Sequence, residues 1–379
     1  MVMSLSKSFK LIVCAVMIAA LLSGCVNTVH LKDLMIVEGM GVELQDEKVN
    51  VIIQTLKLGA AAGSETPQGD RTYNTEETGE TIVDAVSRLS KSVSKKLFFG
   101  QNKLIVFSRD IAENDFEEKL DYFLRSSDSR IDVAVCMSDR NAKPIIESKE
   151  NDAGVPCENI VHLLKNGEDA GLSAYVTMGD LMNMASDKTS DVYLAVLEKN
   201  EGQDNVQTKG IGLFNKQKLA YVTNDDETMG FLLIAGKVKI CSIEFEDEEL
   251  GVVSVKIFSP KAEKKVRISD GNIIFDVDIK AQLMIDEIEK GMVTSLDDDR
   301  LRRICSKAGD EIKRLCTDAF FVCRDNGSDS LRVGEYLARD CPKVYDEISD
   351  EWDEYFKNVA FAVNAETSLK KISDNTQLD

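Results

Sequence analysis

Few side chains in this sequence are equipped for chemistry. Only two of its 379 residues are His, His30 and His162, and neither has a neighbour at metal-ligand spacing. General acid–base and triad catalysis lean on His, so hydrolase chemistry is disfavoured. No catalytic residue, no metal ligand and no cofactor are expected. His30 and His162 read as structural, His162 as a half-buried helix residue. Gly39-Met40-Gly41 and Gly210-Ile211-Gly212 continue into neither a dinucleotide fingerprint nor a P-loop, and read as strand bulges or close packing. The acid runs Glu246–Glu249 and Asp297–Asp299 lack the alternating oxygen ligands of a calcium loop. They read as a solvated turn and a helix start. Cys136, Cys157, Cys241, Cys305, Cys316, Cys323 and Cys341 are scattered, odd in number and without a C-x-x-C pair. That is neither a disulfide framework nor a zinc knuckle. They read as small buried hydrophobes, with a partial disulfide among the last four as the alternative.

One further thiol, Cys25, stands in a different setting. Lys7 and Lys10 are the only charges before it, Leu11 to Leu22 is an unbroken apolar run of 12 residues, and Leu22-Ser23-Gly24-Cys25 follows. A positive start, a short apolar core and small residues at the cut describe a secretory signal peptide. As a helix the run spans about 18 Å, short of the ~30 Å hydrocarbon core. Leu-Ser-Gly-Cys resembles a bacterial lipobox, in which the Cys thiol receives diacylglycerol and becomes the first mature residue. Residues 1–24 are then removed, and two acyl chains anchor durably where one binds only marginally. The 46 basic residues less Lys7 and Lys10 leave 44 against 66 acidic ones, a net charge of −22 for the mature chain. Such a surface repels phosphate, which argues against nucleic-acid binding. It also repels anionic headgroups, so the lipid is expected to hold the membrane without a basic patch.

The elements around these residues follow from period and punctuation. His30–Val42 and Lys48–Leu58 read as a strand pair about a Gln45-Asp46-Glu47 turn, and Gly59–Asp70 as a flexible connection. Thr81, with Asp84 three residues on, caps a helix that sets Ile82, Ala85, Val86, Leu89 and Val93 at helical spacing. Ser94-Lys95-Lys96-Leu97-Phe98-Phe99-Gly100 reads as that helix's C-terminus, where Lys suits the dipole, with the aromatics entering the core. Lys103–Phe107 and Ile131–Met137 are strands around a helix marked by Phe116, Leu120, Phe123 and Leu124. Short helices follow at Glu158–Lys165 and Met178–Ala185. From Asn200 the character changes, with a polar linker, a hairpin over Lys209–Val222 and a brief helix at Met229–Ile234. Strands come next at Lys237–Phe245, Gly251–Ser259 and Asn272–Asp286, then a long helix over 296–319, a helix over 344–357 and a last strand about 359–366. The expected fold class is α+β, an elongated lipid-anchored protein of two to three mixed α/β domains. Its signal peptide is 1–24, its N-terminal domain 25–199 and its C-terminal domain 200–379.

Several stretches, in order, resemble the Ger(x)C lipoproteins, the C subunits of the germinant receptors of spore-forming bacteria. They are the lipobox, Asp33–Val42, Gly79–Ala85 with Leu89-Ser90, Lys95–Gly100, Leu124-Arg125, Ser129-Arg130, and Trp352 with Phe356. Gln101 departs from the His usual after that Gly, and Val26-Asn27-Thr28 from a Trp-containing segment. The resemblance implies a non-enzymatic receptor subunit without cofactor, built of mixed α/β domains. It would be lipid-anchored on the extracytoplasmic face, in spores on the outer surface of the inner membrane. Its partners would be an integral-membrane A subunit and a transporter-like B subunit, acting together in nutrient-triggered germination. Direct germinant binding stays open, and an assembly role is favoured because no cluster of convergent polar and aromatic residues stands out. The acidic outer face of the Tyr345–Phe356 helix is a candidate partner surface beside its reading as a solvated side. A solute-binding lipoprotein of an importer is the alternative; it predicts two similar lobes about a cleft, which the strand-rich, then helix-rich second half does not match.

Overall fold

Apolar runs too continuous for one wet face dictate the first sheet. The structure, a computed structural model, describes residues 30–57, 72–125, 130–148, 154–200, 204–290 and 296–370, with positions 9, 202 and 293. Cys25, most of the signal peptide and the Gly59–Asp70 connection lie outside the described residues. β1 (Leu34–Gln45) is buried from Met35 to Glu43 and pairs antiparallel with β2 (Lys48–Leu56). Asp46 and Glu47 between them both take positive φ, as a two-residue hairpin with native twist requires. In chain order follow β3 (Thr72–Gly79), α1 (Ile82–Ser92), β4 (Lys96–Phe98), β5 (Leu104–Phe107), α2 (Arg109–Asn114), α3 (Phe116–Arg125), β6 (Ala134–Ser138), α4 (Lys143–Ile146), α5 (Pro156–Ala170), β7 (Val176–Thr177), α6 (Met178–Ser186), β8 (Tyr193–Lys199), β9 (Val206–Asn215) and β10 (Lys218–Val222). The sheet order is β10-β9-β8-β6-β5-β1-β2-β3, with β4 beside β1 and β7 beside β6. The central strands β8, β6, β5 and β1 are mutually parallel.

Helices cover both faces of those central strands, as buried parallel strands require. On one face Phe107 meets Phe116 and Phe123 edge-on at 5.3 and 5.7 Å. On the other, a Cβ at Gly39 would lie 2.1 Å from Cys157 Sγ, and one at Gly41 3.2 Å from Ala142 Cβ. The paired glycines expected as close packing thus let α5 and α4 reach the backbone of β1.

α7 (Asp225–Ala235) leads to a second sheet of β11 (Ile240–Asp247), β12 (Gly251–Ser269), β13 (Asn272–Ile288) and, after the helices, β14 (Ala360–Leu369). Between β13 and β14 run α8 (Asp298–Asp325), α9 (Val333–Asp340), α10 (Pro342–Ile348), a 3₁₀ turn at Ser349–Glu351 and α11 (Trp352–Phe356). α8 packs on β14, β11 and α7 and buries Ile304, Ala308, Ile312, Leu315 and Ala319, while Leu301 and Cys305 are only half-buried. Phe320 stacks on Phe361 at 4.4 Å.

Several element bounds need correction. The first sheet also continues across the expected boundary at 200, where β8 and β9 pair from Tyr193↔Leu213 to Lys199↔Val206. The change of sheet comes between Val222 and Ile240, across α7. The long helix begins at Asp298 and runs on to Asp325. The helix over 344–357 is three pieces, since α10 ends at Ile348 and a 3₁₀ turn precedes α11. Trp352 and Phe356 are buried there, and Tyr345 and Ile348 half-buried. Among the described residues no helix is long and apolar enough to cross a membrane.

Candidate functional site

β1 gathers three separated stretches of sequence at its N-terminal end. Parallel pairing sets Leu34 beside Lys96, Met35 beside Leu97 and Ile36 beside Phe98. The Phe98 ring lies over Gly100, where a Cβ would come within 2.5 Å of it. Arg130 donates from Nη1 to the Gly100 carbonyl at 2.8 Å and grips Asp132 at 2.6 and 2.9 Å. Further along β1, Lys103 Nζ lies 3.1 Å from the buried Glu38 carboxylate and 3.1 Å from Glu158. Burial alone would lower the Lys103 pKa, but the two carboxylates outweigh it and raise it. The string Lys95–Gly100 is therefore not a helix end. α1 stops at Ser92 because Val93 turns extended, its N–H closing on the Leu89 carbonyl at 3.2 Å. The string then runs on as β4, with Phe99 half-buried against the core and Phe98 38% exposed. Thr81 caps α1 as expected, accepting from Asp84 N–H at 3.2 Å.

A second locus lies at the opposite end of the same strands. Ligands of open α/β sheets sit outside the carboxyl ends of the parallel strands. A cavity of about 750 Å³ lies there, lined by Asp139, Arg140, Asn141, Ile145, Glu198 and Lys209 among others. Asp139 accepts from Arg109 Nη1 at 2.9 Å and Lys209 Nζ at 2.6 Å. Arg109 continues to Glu113 at 2.7 Å and Lys209 to Glu198 at 3.3 Å. Hydrogen bonding to Glu113 raises the Arg109 pKa, and that to Asp139 raises the Lys209 pKa. The arrangement is a clamp of two cations and three carboxylates joining α2, the end of β6, β8 and β9.

The other residues singled out from sequence are dispersed. His30 is exposed just before a 3₁₀ turn at Leu31–Asp33, and His162 is exposed on α5, because Ile160 and Leu164 take that helix's buried stripe. Among the described residues no group of His, Cys, Asp and Glu is placed to hold a metal ion. The turn at Glu246–Glu249 is not wholly solvated. Asp247 accepts from Glu249 and Leu250 N–H, each at 3.0 Å, and meets Arg303 at 2.9 Å. Burial would raise its pKa, but these N–H groups and the guanidinium hold it down at about 2.

All seven described cysteines are free thiols, five of them buried and Cys305 and Cys341 half-buried. Burial pushes Cys241 up to about 12 and Cys136, Cys157, Cys316 and Cys323 higher still. A neutral buried thiol is a poor nucleophile. Of these seven thiols, native protein is therefore expected to expose two at most to a thiol reagent, Cys305 and Cys341, and denatured protein all seven. Fast native labelling of four or more would contradict the packing.

Nothing in Ser328-Asp329-Ser330 marked it in sequence, yet it is the best-connected polar node in the second half. Asp329 accepts from Val333 and Gly334 N–H, each at 2.7 Å, and from Trp352 Nε1 at 3.0 Å. Its own N–H donates to Asp191 at 2.8 Å, and Ser330 Oγ donates to the Val192 carbonyl at 3.1 Å. The α9–α11 cluster is thereby tied to the start of β8.

Comparisons with known proteins cover both halves. The family described as "Spore germination protein N-terminal domain" matches residues 27–199. "Spore germination B3/ GerAC like, C-terminal" matches residues 209–373. The spore germination protein KC of Bacillus subtilis (strain 168) is 22% identical over 382 residues, covering 92% of each chain. The putative spore germination protein YfkR of the same organism is 20% identical over 366 residues, covering 94% of each. The spore germination protein GerQC of Bacillus cereus is 21% identical over 299 residues, 77% of this chain and 80% of its own. The crystal structure of the GerBC protein shares the fold with a TM-score of 0.58 at 15% identity, covering 88% of this chain and 97% of that one.

Proposed function

The chain belongs to the GerAC-like spore germination family, which ties it to spore germination, and on that premise we propose that it is the lipid-anchored C subunit of a nutrient germinant receptor. It acts without catalysis of its own, beside integral-membrane A and B subunits on the extracytoplasmic face of the membrane. In the spore that is the outer surface of the inner membrane. The observation that carries this reading is the ordered match along nearly the whole chain, placed directly behind Leu22-Ser23-Gly24-Cys25. Lipidation at Cys25 raises the effective concentration of the body near membrane partners, so that weak contacts suffice. The ion-paired clamp at Asp139 and the node at Asp329 both work as structural fastenings, which suits an assembly role. The importer reading calls for two similar lobes, whereas the two sheets here differ in strand number and order.

Two results test the proposal. Spores lacking the gene are expected to fail on one nutrient or a defined set, with vegetative solute uptake intact; normal germination with impaired uptake would refute it. Cys25→Ala is expected to move the protein almost completely from the detergent phase to the aqueous phase in phase separation of processed material. Unchanged partitioning would refute the anchor.

A further inference from the structure

We propose that the N-terminal end of β1, with β4 and the Arg130-Ile131 corner, is the face this protein lays on the membrane, where it takes anionic lipid headgroups. The proposal rests on the lipid at Cys25 and adds an orientation to it.

Reach is the first argument. Five peptide units separate Cys25 from His30, and fully extended they span about 18 Å. His30 stands at the foot of β1, its carbonyl accepting from Asp33 N–H at 2.9 Å. The roughly 190 residues from β1 to β10 form a body about 40 Å across. A tether shorter than half that width keeps the N-terminal end of β1 near the bilayer and the carboxyl ends of the parallel strands away from it.

Charge is the second. Lys32, Lys57, Lys95, Lys96 and Arg130 stand around this end. Lys57 belongs with them because it follows Leu56, one step past the Val37↔Thr55 pairing of β1 and β2. Lys32, Lys57, Lys96 and Arg130 are exposed and Lys95 half-buried. Among the described residues their acidic company includes Asp33, Asp132, gripped by Arg130, and Asp180, next to the Gly179 that donates to the Ile131 carbonyl. In a chain with 66 acidic and 46 basic residues, this end inverts the balance of the whole. The repulsion expected from net charge holds for the body, while headgroups feel the charges within a Debye length.

The third is what stands between the cations. Phe98 is 38%, Tyr73 38% and Ile131 70% exposed. Aromatic rings flanked by Lys and Arg are the side chains that settle at a headgroup boundary. Ile131 is held outward by its backbone, its carbonyl accepting from Gly179 N–H at 2.8 Å, and Phe98 is propped on Gly100.

The test uses full-length lipidated protein in three settings: vesicles containing phosphatidylglycerol, vesicles of phosphatidylcholine alone, and detergent micelles. Flotation reads the anchor and hydrogen–deuterium exchange reads the orientation. On phosphatidylglycerol vesicles, amides of 95–100 and 130–133 are expected to exchange about fivefold more slowly than in detergent. Most of that gain should vanish on phosphatidylcholine, in 0.5 M salt (roughly a 4 Å Debye length), or in Lys95→Gln/Lys96→Gln. Amides of Ser138–Asn141, at the other end of the strands, should stay unchanged. Protein that floats without protection at 95–100 and 130–133 would overturn the orientation and leave the anchor standing. Protection appearing only when partner subunits are added would assign the face to protein instead and equally overturn it. Failure to float would overturn both.

Discussion

Asp329→Ala is expected to lower stability by roughly 3–5 kcal/mol, loosening the α9–α11 cluster first. The variant leaves the N–H groups of Val333, Gly334 and Trp352 buried without an acceptor. Each orphaned donor costs about 1–3 kcal/mol, and the expected loss takes the lower part of their sum. In a unit of this size roughly 3 kcal/mol shifts Tm by about 6–12 °C, and exchange should accelerate across 328–356 before elsewhere. Asp329→Asn keeps one carbonyl acceptor and should lose about half as much. The acid also carries a pH signature. Burial pushes its pKa from 3.8 up to about 8, against the N–H groups of Gly334, Val333 and Trp352, which favour the anion. The folded state then holds a proton that the unfolded chain has released, so this stability is complete below 3.8 and is lost as pH rises through about 8. Asp329→Asn should flatten that decline. A wild-type profile already flat between those limits would show that the donors, not burial, set the charge of this carboxyl.

The contrast between Thr81 and Asp329 shows what the sequence could carry. A cap and its helix are adjacent in the chain, so Thr81 with Asp84, and the apolar spacing after it, placed α1 to within a residue. The fastening of Trp352 depends on an acceptor 23 residues upstream, and no local pattern encodes that. The same reason hid β4. Lys95–Gly100 resembles a helix end by composition, and becomes a strand only because Leu34–Ile36 offers an edge some sixty residues earlier. β3 escaped for another reason. Thr72–Gly79 is almost wholly polar, so it shows no alternation, and pairing with β2 holds it rather than burial of its own. β8 lies in an apolar stretch next to a polar segment that resembles a linker, so no alternation marks it as a strand. Of the candidate site, the sequence marked Lys96, Phe98, Gly100 and Arg130. That these residues share one end of one sheet is information only the strand order holds.

Gly230→Ala is expected to be among the costly single methyls of the described residues, because of what it would strike. A Cβ there would sit 2.0 Å from the Leu315 carbonyl oxygen, 2.5 Å from its carbon and 2.9 Å from Ala319 Cβ. The obstacle is helix backbone, which no rotamer change can remove. α7 and α8 must part by more than an ångström, and the buried run Phe231, Leu232, Leu233 and Ile234 loses contact with its surroundings. Overpacking of this kind costs 1–3 kcal/mol and sometimes more. Backbone as the obstacle puts the cost at the top of that range, and the gain of about 1 kcal/mol from replacing a helical Gly by Ala leaves a net loss of roughly 2 kcal/mol. Gly39→Ala provides the control. Its nearest neighbour is the Cys157 side chain, Sγ at 2.1 Å and Cβ at 2.9 Å, so the added methyl meets something removable. Gly39→Ala alone should destabilise by a similar amount, and Gly39→Ala with Cys157→Gly should recover at least half of it, read as denaturation midpoints. No side-chain truncation on α8 should recover Gly230→Ala to that extent, because Ala319→Gly removes the third obstacle and leaves the first two. α7 is also the segment that joins the two sheets. Gly230→Ala should therefore expose the chain between Val222 and Ile240 to protease earlier than Gly39→Ala does at equal loss of stability. Equal cleavage in the two variants would mean that the sheets are held together elsewhere, and would shift the weight of that junction onto Asp329.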